Sequence, residues 1–133
     1  MDRAAYEDYV GAFNARDYDR MASYYADDVD FILSEERGLV FHGREAILDL
    51  YKPFHQAVEE RVEIVNFADG GNCVFAEVDA TFRPIPAKSQ SVIDLPHGKM
   101  LHVTTFAVYD LGPDDRFTRI RACSYSRHYS DAG

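Results

Sequence analysis

The chain has 133 residues, 47% of them apolar, and a formal net charge of −9. That length and composition describe one ordered domain over residues 1–133 with a core large enough to need no disulfide or metal staple. The acidic balance, with no cluster of Lys and Arg, excludes a phosphate-binding surface, so neither nucleic acid nor an anionic membrane is an expected partner.

The first residues, MDRAAYEDY, are acidic and lack an apolar stretch, so they do not read as a targeting peptide. Residues 2–15 predict a helix. Asp2 caps it, and Tyr6, Tyr9, Val10 and Phe13 recur at three- and four-residue steps. Asn14 and Asp17 end it. Asp17 opens a short second helix through Tyr25, with Met21, Tyr24 and Tyr25 inward, and Ala26-Asp27-Asp28 breaks it. Val29 to Leu33 alternates as a strand, Ser34 to Gly38 is a charged turn, and Leu39 to Phe41 is a second short strand.

Gly43 caps a third helix, where Glu45 suits the positive N-terminal end. Its stripe is Ile47, Leu50, Tyr51, Phe54 and Val58, and Pro53 predicts a kink or a break. The remainder reads as antiparallel sheet, with strands at 61–68, 73–82, 90–95, 99–110 and 117–127. Asp69-Gly70-Gly71, Pro96-His97-Gly98 and Gly112-Pro113-Asp114-Asp115 are turns, and Arg83 to Ser89 is irregular. Helices first and a meander after them make an α+β architecture. No run reaches membrane-spanning length. Cys73 and Cys123 lack C-x-x-C spacing and read as buried free thiols in a reducing cytoplasm. Nine Tyr and nine Phe with no Trp fill a core and also suit a pocket with flat apolar walls and phenolic donors.

The run YVGAFNARDYDRMASYYADDVDF followed by HGREAILDLYKPF resembles the opening of the nuclear-transport-factor-2-like superfamily, the fold of ketosteroid isomerases and SnoaL-like cyclases. The resemblance implies a cone: three N-terminal helices packed on a strongly curved antiparallel sheet around an internal apolar pocket. It also implies a homodimer paired through the convex sheet face, an apolar small-molecule ligand, and no cofactor or metal. In that family a Tyr on the first helix donates to the substrate oxyanion, which places Tyr9 as donor and Tyr25 and Tyr51 as its support. Linked phenols polarise one another and stabilise an enolate oxygen in a dry cavity.

The departures are equally specific. The family's general-base Asp falls at Leu33, its second donor at Thr105, and its apolar floor residue near Ser124. The cyclases' Asp on the last strand has no counterpart in RIRACSYSRHY, and no Asp–Arg–Asp trio matches the related epoxide hydrolases. The donor network is kept and the base is lost. Phe13, Leu33, Phe54, His55, Phe75, Val103, Ala122 and Ser124 are the ligand-lining positions expected on this alignment.

A replacement acid has two candidate places. Residues 73–82 alternate, with Cys73, Phe75, Glu77, Asp79 and Thr81 on one face and Val74, Ala76, Val78, Ala80 and Phe82 on the other. Either face fits the cone, and one register step exchanges them. With the acids inward, Glu77 or Asp79 is desolvated and its pKa rises to suit acid–base work. Glu35 or Glu36, beside Leu33, is the second place. Of the histidines, His55 is the best placed for the cavity, His128 sits at the rim and His102 points away. None forms a metal-ligand pair. Two function classes follow: a cofactor-free isomerase, cyclase or lyase acting on an apolar carbonyl compound, with Tyr9, Tyr25, Tyr51, Thr105 and Glu77 or Asp79 as its machinery, and a non-catalytic binding or association domain.

Overall fold

A computed structural model of the chain describes residues 1–85, 95–96 and 98–132. Helix α1 spans Arg3–Asn14. The Asp2 carboxylate accepts the Ala5 N–H at 2.9 Å, and the stripe Tyr6, Tyr9, Val10 and Phe13 is buried. Helix α2 spans Tyr18–Ala22 and strand β1 Tyr25–Ser34. Tyr25 therefore opens a strand, where a helix was expected to reach it. The cause is pairing with the last strand: the Phe117 N–H donates to the Tyr24 carbonyl at 2.7 Å, and Tyr25 sits in register with Phe117.

Strand β2 is Leu39–His42 and helix α3 Arg44–Ala57. Pro53 does not break α3. It removes one donor, but the carbonyl it deprives belongs to exposed Asp49, on the solvent side of the helix, while Ile47, Leu48, Phe54 and His55 hold the helix from the buried side. Strands β3 (Val58–Asp69), β4 (Cys73–Pro84), β5 (Lys99–Leu111) and β6 (Phe117–Asp131) follow. The strand expected at 90–95 and the turn through His97 fall almost wholly outside the described residues.

The six strands form one curved, unclosed sheet in the order β2-β1-β6-β5-β4-β3, with the three helices packed on it. The sheet was expected to be antiparallel throughout. It is mixed, because β1 and β6 run parallel. Asn14 ties the helices to the far edge: its side chain donates to the Val62 carbonyl at 2.9 Å and accepts the Val62 N–H at 2.8 Å, as a neighbouring strand would.

Two bulges set which side chains face inward. Val65 is the extra residue of β3 opposite β4, and Tyr125 the extra residue of β6 opposite β5. Each reverses the alternation of its strand beyond it. Across the middle of the sheet Ala76, Ala107 and Ala122 stand opposite one another, a row of small side chains where larger ones would fill the concavity. Both cysteines are free thiols, but Cys73 is half-buried and Cys123 exposed, so neither is the buried thiol expected. Cys73 lies at the end of a hairpin, and Cys123 lies opposite exposed Phe106. No helix among the described residues is long and apolar enough to cross a membrane.

Candidate functional site

The helices and the concave sheet face enclose a cavity of about 610 Å³, within the range of small-molecule sites. Val78, Ala80, Val103 and Ala107 line it from the sheet, and Val10 and Phe13 from α1. Exposed Glu35, Glu36, Arg37 and Arg127 stand at its rim.

Tyr9, Tyr25, Tyr51 and Thr105 all line this hollow, as do Phe13, Leu33, Val103, Ala122 and Ser124. The hydroxyls of Tyr9 and Tyr25 hydrogen-bond at 2.8 Å. Tyr25 is held from behind by Arg44, which donates to its carbonyl at 2.8 Å. A pair of hydroxyls uses one of its two protons internally, so one remains for a guest. Tyr25 is 1% exposed and Tyr9 8%, which favours Tyr9 as the outward donor. Tyr51 makes no hydrogen bond among the described residues, and its ring stacks on His55 with centroids 5.2 Å apart. Thr105 and Ser124 share a hydrogen bond of 3.0 Å on the sheet side.

Two further tyrosines belong to the site. Tyr6 and Tyr109 line the cavity and join their hydroxyls at 2.9 Å. Burial raises all these phenols. Tyr9, Tyr25 and Tyr51 lie well above the ordinary value, with the Tyr25 and Glu60 charges adding to the effect at Tyr9 and Tyr51 respectively. Tyr109 is pushed up to about 12 by the same loss of solvent. The cavity phenols are neutral donors across the working pH range.

The other expected site residues lie elsewhere. Strand β4 buries Val74, Ala76, Val78, Ala80 and Phe82, which turns Phe75, Glu77 and Asp79 onto the opposite face. Glu77 is not desolvated there. It accepts hydrogen bonds from Tyr125 and Asn66, and these hold its pKa below the ordinary carboxylate value, the reverse of the expected rise. Asp79 accepts the Thr104 hydroxyl at 2.7 Å on the same outer face. Phe54 packs on Phe82 with ring centroids 6.0 Å apart, outside the cavity lining. His128 stacks on His102 at 4.7 Å on the outer face, because the bulge at Tyr125 gives the inward place to Arg127.

His55 does not line the cavity, but it stands directly behind a residue that does. Its Nε2 lies 3.0 Å from Glu60 Oε1, and its Nδ1 lies 3.0 Å from the Tyr18 hydroxyl. The His55 side chain is 2% exposed and that of Glu60 9%. A carboxylate only accepts, so Nε2 carries the proton toward Glu60 and, in the neutral ring, the Tyr18 hydroxyl donates into Nδ1. The imidazole is gripped by Tyr51 on one face and by the edge of Phe13 at 5.1 Å.

Glu60 is the cavity's inward carboxylate, and the sequence carried a signal for it. Val58, Glu60, Val62 and Ile64 alternate, so the acid sits in an apolar row, and in the sheet Glu60 lies opposite inward Phe82. Starting the strand at residue 61 hid that row.

A family profile described as the SnoaL-like domain matches residues 6–120. No curated protein matches the chain. Among solved structures, a provisionally named polyketide cyclase from Pseudomonas putida aligns with a TM-score of 0.73 at 17% identity, covering 90% of this chain and 87% of that one. An LEH-like epoxide hydrolase from M. tuberculosis gives 0.71 at 17% identity over 92% and 80%. A provisionally named ketosteroid isomerase from Kribbella flavida gives 0.68 at 16% over 98% and 82%. At these identities the likeness is one of fold, and the chemistry has to be argued from the side chains.

Proposed function

The chain belongs to the SnoaL-like domain family, and from that premise we propose that its cavity binds an apolar, carbonyl-bearing small molecule and polarises the carbonyl as a cofactor-free isomerase, cyclase or lyase. The observation that carries the reading is the buried Tyr9–Tyr25 hydroxyl pair at 2.8 Å, which leaves one phenolic proton for a guest in a hollow with mostly apolar walls. Tyr51, with its unengaged hydroxyl, is a second donor to the same guest. Such donors act on the oxygen that gains charge as the carbonyl enolises, and a dry surrounding strengthens them. Support also comes from what the cavity lacks in bulk: the small side chains of Ala80, Ala107 and Ala122 leave room for a ring system against the sheet.

The test uses 2-tetralone, an apolar ketone small enough for the cavity, and the infrared stretch of its bound carbonyl. Binding to the full chain moves the stretch to lower wavenumber than in hydrocarbon solvent, and Tyr9→Phe removes most of that shift while weakening affinity little. With a true substrate the same variant lowers turnover about 100-fold. A bound carbonyl that vibrates as in hydrocarbon sinks the polarising reading and leaves the second one, a binding domain. Failure of 2-tetralone to bind at all counts against both. The same proposal includes a homodimer paired through the convex face, where Phe75, Phe106 and Tyr125 stand exposed.

A further inference from the structure

We propose that Glu60 is the acid–base residue of this cavity, taking a proton from the carbon next to the bound carbonyl, and that His55 is its positioning residue; this rests on the carbonyl-binding reading above. Geometry carries the assignment. Glu60 borders the hollow with its side chain only 9% exposed, and His55 engages Oε1 at 3.0 Å. Oε2 is left without a partner among the described residues. A carboxylate oxygen with no partner is open to a proton from a guest, provided something fixes the direction of the group. His55 does so from one side only, since its Nδ1 is engaged by Tyr18 and its ring is held between Tyr51 and Phe13. The Glu60 backbone is fixed too, because its carbonyl accepts from Arg16 at 2.5 Å. The chain Glu60–His55–Tyr18 ends at a part-exposed phenol, which gives it contact with bulk water.

The step balances within the site. Oε2 takes the α-hydrogen as a proton, and the C–H electron pair becomes the new C=C bond. The carbonyl π pair moves to oxygen, where the phenols of Tyr9 and Tyr51 stabilise it. The proton held on Glu60 then returns to carbon, at the same position or at one conjugated with it, so the net outcome is exchange or isomerisation. This places the base on β3, across the cavity from Leu33, where the sequence alignment expected one. The ligand class narrows to apolar ketones with an acidic C–H beside the carbonyl.

The experiment follows deuterium uptake at the α-carbon of 2-tetralone in D2O by NMR, with saturating ketone and the full chain. Wild type accelerates uptake over buffer. Glu60→Gln removes that acceleration, about 100-fold or more, while 2-tetralone still binds within a few-fold of wild type. Glu60→Asp, which keeps the charge and the fold but retracts the carboxylate, loses most of it as well. His55→Gln, whose side-chain amide can still donate to Glu60, keeps part of the uptake, whereas His55→Leu, which has no donor, loses most of it while still binding 2-tetralone; a purely structural role would lower both variants alike. Uptake that survives both Glu60 variants overturns the assignment, as does uptake lost with Glu35→Gln or Glu36→Gln in its place. If wild type binds 2-tetralone with a shifted carbonyl stretch yet shows no acceleration, the base assignment fails and the carbonyl-binding reading stands. If it binds with no shifted stretch, that reading fails by itself.

Discussion

A tyrosine and a glutamate meet different circumstances on the two sides of the sheet. On the convex face Tyr125 donates to Glu77, both near water, and the bond lowers the Glu77 pKa. On the concave side Tyr51, carried by α3, faces the hollow that Glu60 lines from β3, and loss of solvent, with the carboxylate's charge added, raises the phenol well above its ordinary value. Residue type is therefore a poor guide to chemistry in this chain. The side of the sheet decides whether a tyrosine and a glutamate form a surface hydrogen bond or line the cavity. The outer pair is screened by water, whereas loss of solvent is the largest influence on the inner phenol.

The largest expected effect that separates the faces is alkaline unfolding. Tyr6, Tyr9, Tyr25, Tyr51 and Tyr109 all line the cavity, and burial raises every one of them from the ordinary 10.0. Below about pH 10 these phenols are protonated in both the folded and unfolded chains, so their contribution to stability is fully present. Above it the unfolded chain ionises first and stability falls, at up to about 1.4 kcal/mol per pH unit for each phenol, until the folded values are passed. Tyrosinate absorbance from these five should rise together with the loss of far-ultraviolet circular dichroism. Tyr125, also raised but exposed, should ionise with the fold intact. Ionisation of the cavity phenols in a chain that keeps its circular dichroism would show that the hollow is wet.

Ala107→Leu comes next. Ala107 is 5% exposed at the middle of the small-residue row, and a larger side chain there projects into the space a ligand would occupy. We expect 2-tetralone affinity to fall at least about tenfold, with a stability change between about −3 and +1 kcal/mol depending on how much of the void the leucine fills. Titration calorimetry and thermal melts measure the two separately. Unchanged affinity would move the ligand away from the sheet floor.

These tests also mark what the sequence made legible. Alternation in β4, the stripe of α1 and the Asp69-Gly70-Gly71 turn are local signals, and each led to the observed element. The Tyr9–Tyr25–Tyr51 convergence was legible through family resemblance, and all three rings do line one hollow. Two of the misreadings share a physical origin in pairing between distant segments. Tyr25 leaves its helix because Phe117 pairs with the chain there, and Arg127 takes the inward place of His128 because β6 carries one more residue than β5 at Tyr125. No window of sequence contains either partner. Glu60 differs, since its apolar row was visible locally and only the placement of a strand boundary concealed it.

The smallest effect inside the cavity should come from the convex face, and this is where the comparison is sharpest. Glu77→Gln removes a carboxylate that the sequence pattern offered as a base, yet the residue lies outside the lining and its charge is satisfied by Tyr125 and Asn66. The carbonyl shift and deuterium uptake of 2-tetralone should match wild type at neutral pH. The only pH signature should be at the acid end. A carboxylate held below its ordinary pKa adds stability above that value and loses it as pH falls, so wild type alone carries this acid-limb contribution. Phe106→Asp, on the same face and 52% exposed, should likewise spare the cavity, but it places a charge in the middle of the apolar patch where Phe106 stacks on Tyr125. If the proposed homodimer forms there, sedimentation equilibrium should give the mass of two chains for wild type and Glu77→Gln and of one chain for Phe106→Asp. A convex-face change that abolishes uptake in a still-folded chain would mean that the two sides of the sheet are coupled, and that the cavity's chemistry depends on the partner subunit as well as on its own walls.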